Sequence, residues 1–253
     1  MIKIILNLVP RPLLISWSRY LMPILDFYYR GSRYTDPINN KSYRKFLPYG
    51  YVHIRENVLS PGTFSLERHR LMWLYLQEKT DFFTKPYKVL HIAPEQAFYK
   101  RFKKLKNIDY ITVDLNSPLA DIKADITSLP FDNNWFDIIF CNHVLEHIPN
   151  DIQAMNELYR VMKPGGWGIF QIPLDKNRSV TFQDDSIKDP EERTKIFGQY
   201  DHVRVYGWDY FDKLKKTGFQ VKKINLSNEL SNKEIDRYRL EKDEVLPVVY
   251  KKK

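Results

Sequence analysis

The middle of the chain alternates between two periods. KVLHIA (88–93), DYITVDL (109–115), WFDIIFCN (135–142) and GWGIFQIP (166–173) are short apolar runs of the kind buried strands carry, and a weaker one lies near ADIKAD. Between them, apolar residues recur at helical spacing. In LERHRLMWLYLQEK, Leu66, Trp73 and Leu76 share a face, with Ser65 as the expected cap and Glu67 in the first turn. Pro94 suits the first turn of the next helix, where Phe98, Phe102 and Leu105 stand at i, i+4 and i+7. DIQAMNELYRVMKPGG puts Ile152, Met155, Leu158 and Met162 on one face, and its PGG is expected to halt the helix. Strands and helices alternating at these lengths predict a parallel sheet covered on both faces. Such sheets bind ligands beyond the carboxyl ends of their strands, where the strand order reverses.

The flanks read differently. Residues 1–64 are rich in Pro, Tyr and turn signals and form a separate N-terminal region, leaving 65–253 as the main domain. A polar stretch at about 174–205 reads as an inserted lid, with Phe182, Phe197 and Tyr200 as its anchors. Residues 12–30 are aromatic, with Arg11, Arg19 and Arg30 around them. Because Pro23 interrupts a clean amphipathic helix, packing on the domain is the expectation, and contact with an anionic membrane surface is the alternative. Asp36-Pro-Ile-Asn39 and Ser60-Pro-Gly-Thr63 have the paired spacing of a zinc ribbon, but none of the four is a thiol, so no zinc is expected there.

Composition narrows the class. At 253 residues and 43% hydrophobic, the chain can bury a substantial core. One cysteine, Cys141, excludes an internal disulfide framework and a thiolate zinc cluster; within FDIIFC it reads as an inert core thiol. A net charge of +9 permits nucleic-acid or membrane contact. The lysines of KRFKKLK and KLKK fall on solvent faces of amphipathic elements, however, so a solvated surface is the simpler reading. No window is apolar enough to span a bilayer, and MIKIILNLVPRPLLISW is a poor signal peptide, which points to a cytoplasmic protein.

The series VLHIAPE, YITVDL, ADITSLPF, FDIIFCNHVLEHIPND and LYRVMKPGGWGIFQIP, over about residues 65–225, resembles a class I S-adenosylmethionine-dependent methyltransferase of the methyltransferase type 11 kind. The whole chain also resembles a group of bacterial methyltransferases through LNLVPRPLL, YRKFLPYG, SLERHR and QYDHVRVYG, a likeness that implies no acceptor. The resemblance implies an α/β fold, a Rossmann-like doubly wound, mostly parallel seven-stranded sheet with a small N-terminal appendage, and S-adenosylmethionine as cofactor. Asp114, ending the second strand, stands where both ribose hydroxyls would be bound. By the same likeness Asp125 would take the adenine amino group while Ile126 or Leu129 packs the ring, and Leu115, Asn142 and His143 complete the cofactor surface. The family's first loop has an acidic residue and then three glycines; here those places hold His91, Ala93, Glu95 and Ala97. The cofactor carries a carboxylate rather than a phosphate, which free N–H groups at a helix start can bind. Alanine then suffices, provided φ stays negative. Glu95 is expected to supply the carboxylate that His91 lacks, with a helix-dipole role as the alternative.

Within NHVLEHIPND, His143, Glu146 and His147 spell H-x-x-E-H, the string of inverted zincin peptidases, but here it follows a buried strand instead of lying on a helix. The E-H pair also resembles the metal-contacting pair of ubiquinone-type and small-RNA O-methyltransferases. Those carry a glutamate where this chain has His143, so no metal is expected. Methyl transfer to a hydroxyl profits from a base poised near neutrality, which makes His147 and His202 candidates, with Glu146 beside them and Asp201 as orienter. The alternative gives His202 and Arg204 only the task of organising their loop. The exit CNHV lacks the Asn/Asp-Pro-Pro-aromatic signature of adenine amino methyltransferases, and no cysteine sits in a Pro-Cys setting. The sequence therefore points to methylation of a small-molecule or glycan acceptor, at oxygen, with no DNA partner. Its rivals are a catalytically silent cofactor-binding module and an RNA methyltransferase, the latter supported by charge alone.

Overall fold

The computed structural model describes residues 11–50 and 54–253, with side chains from residue 20 onward. MIKIILNLVP, on which the signal-peptide reading and the start of the LNLVPRPLL motif fall, lies outside them. The chain forms two compact units: residues up to 81 with 95–101 and 226–244, and residues 82–94 with 102–225 and 245–253.

The second unit holds the sheet. Its strands are β1 (Tyr87–Ile92), β2 (Ile108–Asp114), β3 (Ile122–Lys123), β4 (Phe136–Cys141), β5 (Met162–Ile169), β6 (Gln220–Ile224) and β7 (Leu246–Tyr250). They lie in the order β6-β7-β5-β4-β1-β2-β3. All pairings are parallel except those of β7, which runs antiparallel to both β5 and β6. The order reverses between β1 and β4, the crevice foreseen from the alternating pattern.

Alternation along β1 and β4 sorts side chains to two faces. Leu90, Ile92, Ile139 and Cys141 join a core with Met155 and Leu158 of the helix Asp151–Val161 and Phe211 and Leu214 of the helix Tyr210–Lys216. His91 and Phe140 face the other way, into an aromatic cluster with Phe82, Phe102 and Tyr110. Each fully buried ring contributes about 1.5–3 kcal/mol of burial. Gly168 permits the close approach of β5 to β4: an added Cβ would lie 2.4 Å from the Ile139 carbonyl oxygen.

Two local expectations shift. The helix at 151 ends at Val161, and Met162 already has extended ψ and opens β5. It ends ahead of PGG because Lys163, preceding Pro164, disfavours helical geometry. Ile152 is 38% exposed, and the buried stripe is Ala154, Met155, Leu158 and Val161.

The first unit opens with the helix Arg11–Tyr28, which holds Pro23 within it, followed by a hairpin of Arg30–Asp36 with Lys41–Tyr43. The helix offers Asp26 to the hairpin, accepting from the Tyr43 hydroxyl and Lys41 Nζ, both at 2.6 Å. Tyr20, Leu21, Ile24, Phe27 and Tyr28 remain exposed, Phe27 by 72%. Among the described residues no helix is long and apolar enough to cross a membrane. At the ribbon-like positions hydrogen bonds prevail: Asp36 accepts from Thr63 and from the Ile38 amide, and Asn39 donates to the Tyr43 hydroxyl. Ser65 does not cap the helix Glu67–Lys79, because its hydroxyl donates to Asp36; His69 Nδ1 instead accepts the Leu66 amide. Nor does that helix bury a single face, since every residue from His69 to Leu76 is buried. Arg70 bridges the unit by donating to the carbonyls of Val58, Ser65, Tyr238 and Arg239.

Candidate cofactor and catalytic site

Asp114 ends β2, and its Oδ1 accepts the amides of Asn116 and Ser117, both at 2.7 Å. Among the described residues its Oδ2 accepts no hydrogen bond, so one oxygen fixes the turn while the other is left for a further donor. Asp125 repeats the arrangement beyond β3, where Oδ1 accepts the amide and hydroxyl of Thr127 at 2.8 Å. Ile126 and Leu129 are buried beside it. Two half-used carboxylates and an apolar flank are the donor set that ribose hydroxyls, an adenine amino group and an adenine ring require. The residues present fit S-adenosylmethionine.

The first loop departs from expectation in three places. The His91 ring is fully buried, with Nδ1 2.7 Å from the Tyr110 hydroxyl, so its side chain belongs to the core and not to the cofactor surface. Strand parity is the reason, since β1 turns position 91 inward. Glu95 Oε1 lies 3.2 Å from Nε2 of His69 within the first unit, a partner that sequence spacing could not reveal. Ala93 has φ of 50°, against the negative value that the alanine reading required. Its amide donates to the Val113 carbonyl at 2.8 Å, and that bond holds the turn. A left-handed conformation costs a non-glycine residue about 1–2 kcal/mol. Ala93→Gly is therefore expected to raise stability by about 0.5–1 kcal/mol despite the added freedom of the unfolded chain. A urea midpoint that stays put or falls would contradict the strain.

Past β4 the backbone turns again at His143, with φ of 53°, and its amide donates to the Gln171 carbonyl. Asn142 is buried, its Oδ1 3.4 Å from the Gln171 amide, whereas Leu115 is 54% exposed. Glu146 and His147 lie on a single 3-10 turn, Leu145–His147. His202 arrives from the inserted segment, its ring centroid 4.7 Å from that of His147. The structure thus brings the three catalytic candidates together, with Asp201 Oδ2 3.3 Å from His147 Nδ1.

Their charges are set by competing effects. Burial works against the charged form of Glu146, but the close imidazole of His143 and the charge of His147 outweigh it and lower its pKa. Burial also opposes a charged His147, yet Asp201 and Glu146 prevail and raise it. Burial likewise opposes an ionised Asp201, but the bond to His147 holds it down to about 2. For His202 burial wins, with the neighbouring His147 charge adding to it, and the pKa falls.

Arg204, to which the alternative reading gave the task of organising its loop, makes contacts that reach beyond that loop. Fully buried, it donates through Nη1 to the Leu145 and Ile148 carbonyls, both at 2.6 Å, and through Nη2 to Pro149 at 2.8 Å. Its Nε donates to Gln183 Oε1 at 3.0 Å, and the Val203 amide donates to the Glu146 carbonyl at 3.0 Å. One guanidinium thereby holds the whole turn that carries Glu146 and His147. The inserted segment is anchored by Arg204 and the buried Phe197, while Tyr200, an expected anchor, is 56% exposed.

An open sheet reversing between β1 and β4, with half-used carboxylates beyond β2 and β3, is the arrangement that the resemblance to class I S-adenosylmethionine-dependent methyltransferases led one to expect, and the comparisons agree with it over part of the chain. The family model "Methyltransferase domain" matches residues 75–170. The sterol 4-C-methyltransferase strm-1 of Caenorhabditis elegans is 31% identical over 75 residues, 30% of this chain and 21% of that protein. The ubiquinone/menaquinone biosynthesis C-methyltransferase UbiE of Coxiella burnetii is 44% identical over 46 residues, 18% of each chain. The match thus spans about a fifth of the length of these relatives. Among solved structures, the [4+2]-cyclase SpnF aligns with a TM-score of 0.50 at 14% identity, over 72% of this chain and 81% of that one.

Proposed function

We propose that the chain transfers a methyl group from S-adenosylmethionine to an oxygen of a small-molecule or glycan acceptor. The observation that carries this reading is the convergence of Glu146, His147 and His202 immediately after β4. The bound cofactor supplies a methyl carbon already activated by its sulfonium. In this reading Asp114 and Asp125 hold the adenosine, with Ile126 and Leu129 beside the ring. The histidine–glutamate cluster orients the acceptor hydroxyl and receives its proton, a task suited to the neutral His202. Alignment and exclusion of water do the remainder.

Two observations pull toward other acceptors. The matched relatives named above are C-methyltransferases, and the helix Arg11–Tyr28 exposes an aromatic face that suits an anionic membrane surface and a lipid-borne acceptor. A third, the strained Ala93, favours a silent binding module. Incubation of the protein and methyl-labelled cofactor with an extract of the producing cell, fractionated into small molecules, glycans, lipids and RNA, separates them. Label is expected in the small-molecule or glycan fraction, attached through an ether. Attachment to carbon, label in RNA, or no transfer above a boiled control would each overturn the oxygen reading.

A further inference from the structure

The cluster after β4 has a feature that base catalysis alone does not account for. One donor atom from each of Glu146, His147 and His202 lies within 4.8 Å of the other two. Glu146 is 1% exposed, and neither of its oxygens accepts a hydrogen bond of good geometry among the described residues. Its nearest ionic neighbour is His143 Nδ1, 3.3 Å from Oε1. A carboxylate so buried is costly unless a cation compensates it.

The two imidazoles are held in the same manner. His147 Nδ1 lies 3.3 Å from the Asp201 carbonyl oxygen and 3.3 Å from its Oδ2. His202 Nδ1 lies 3.1 Å from the Phe197 carbonyl oxygen. A carbonyl only accepts, so Nδ1 is the protonated nitrogen in each ring when it is neutral, and Nε2 keeps its lone pair. Metal-binding histidines are fixed in this way, one nitrogen donating to a carbonyl or carboxylate and the other facing the ion.

We propose that Glu146, His147 and His202 bind a divalent first-row transition-metal cation. Two imidazoles and one carboxylate favour zinc, cobalt, iron or manganese over magnesium and calcium, which prefer oxygen ligands. Three protein ligands leave positions open for water or an acceptor oxygen. This deepens the preceding reading and rests on it only for the cation's use: an acceptor hydroxyl bound there would lose its proton to water before attack, in place of direct transfer to His202. Occupancy of the site does not depend on that use.

The test is titration of the metal-stripped full chain with Co2+, followed by visible absorption and by calorimetry. One Co2+ per chain is expected, displaced by Zn2+ and not by equal Mg2+. His202→Ala and Glu146→Gln should each weaken binding at least tenfold, and Asp201→Ala about 10–100-fold through the lost side-chain partner of His147. Binding of S-adenosylhomocysteine, which this cluster does not contact in the proposed arrangement, reports whether each variant is folded. Absence of Co2+ uptake by the wild type, or unchanged affinity in folded His202→Ala and Glu146→Gln, would overturn the proposal. Methyl transfer persisting in a metal-free wild type would leave the oxygen reading standing without the cation.

Discussion

Replacing Asp114 by asparagine should weaken S-adenosylhomocysteine binding about a hundredfold. The substitution keeps Oδ1, which accepts the Asn116 and Ser117 amides, so the turn after β2 survives. It converts the other oxygen into an amide nitrogen, which donates and cannot accept from ribose hydroxyls. A hydrogen bond to a charged group contributes about 1.5–3 kcal/mol, and losing one with part of a second corresponds to about two decades in affinity. Asp114→Ala removes the turn's acceptor as well, and is expected to lose both affinity and about 1–2 kcal/mol of stability. Calorimetry and urea denaturation on the two variants separate ligand contact from loop support. Unchanged affinity in Asp114→Asn would remove the adenosine from this crevice.

What the sequence could show follows from how far each feature depends on tertiary structure. Buried parallel strands are apolar along their whole length, so β1, β2, β4 and β5 stand out before any packing is known. The positions of Asp114 at the end of β2 and of Asp125 just beyond β3 could be read from the strand pattern, whereas their proposed role rests on the resemblance. The His91 ring was misplaced for a local reason, since parity along β1 puts Val89 and His91 on one face. Ala93 carries no signal of its left-handed turn, a conformation ordinarily announced by glycine or asparagine. His202 stands 55 residues from His147, and only the folded chain shows both Nδ1 atoms engaged by acceptors. For Arg204 the sequence offered loop organisation as an alternative, but only the folded chain shows its guanidinium buried on the carbonyls of Leu145, Ile148 and Pro149.

That arrangement makes Arg204→Met the variant with the largest expected loss of stability. The methionine fills much of the volume but donates nothing. The carbonyls of Ile148 and Pro149 then lose their guanidinium donor, the Leu145 carbonyl keeps only the longer bonds from the Tyr206 hydroxyl and the Ile148 amide, both at 3.3 Å, and the buried Asp151 loses a cation 3.7 Å away. A buried acceptor left unpaired costs about 1–3 kcal/mol, and partial relaxation brings the sum to about 3–5 kcal/mol. This is a large share of the 5–15 kcal/mol typical of a folded protein. Arg204→Lys keeps the charge but replaces a planar fork by a single ammonium, which cannot reach all three carbonyls; about 2 kcal/mol is expected. The lysine variant also carries the functional reading should the methionine variant fail to accumulate. With the Glu146–His147 turn loosened and the Asp114 crevice untouched, kcat should fall at least tenfold while S-adenosylhomocysteine affinity stays within about twofold, because misplacement of a reacting group by about 1 Å costs far more in rate than in cofactor binding. A methionine variant within about 0.5 kcal/mol of wild type, or a lysine variant that loses cofactor affinity and kcat in equal measure, would show that Arg204 is not what holds this turn.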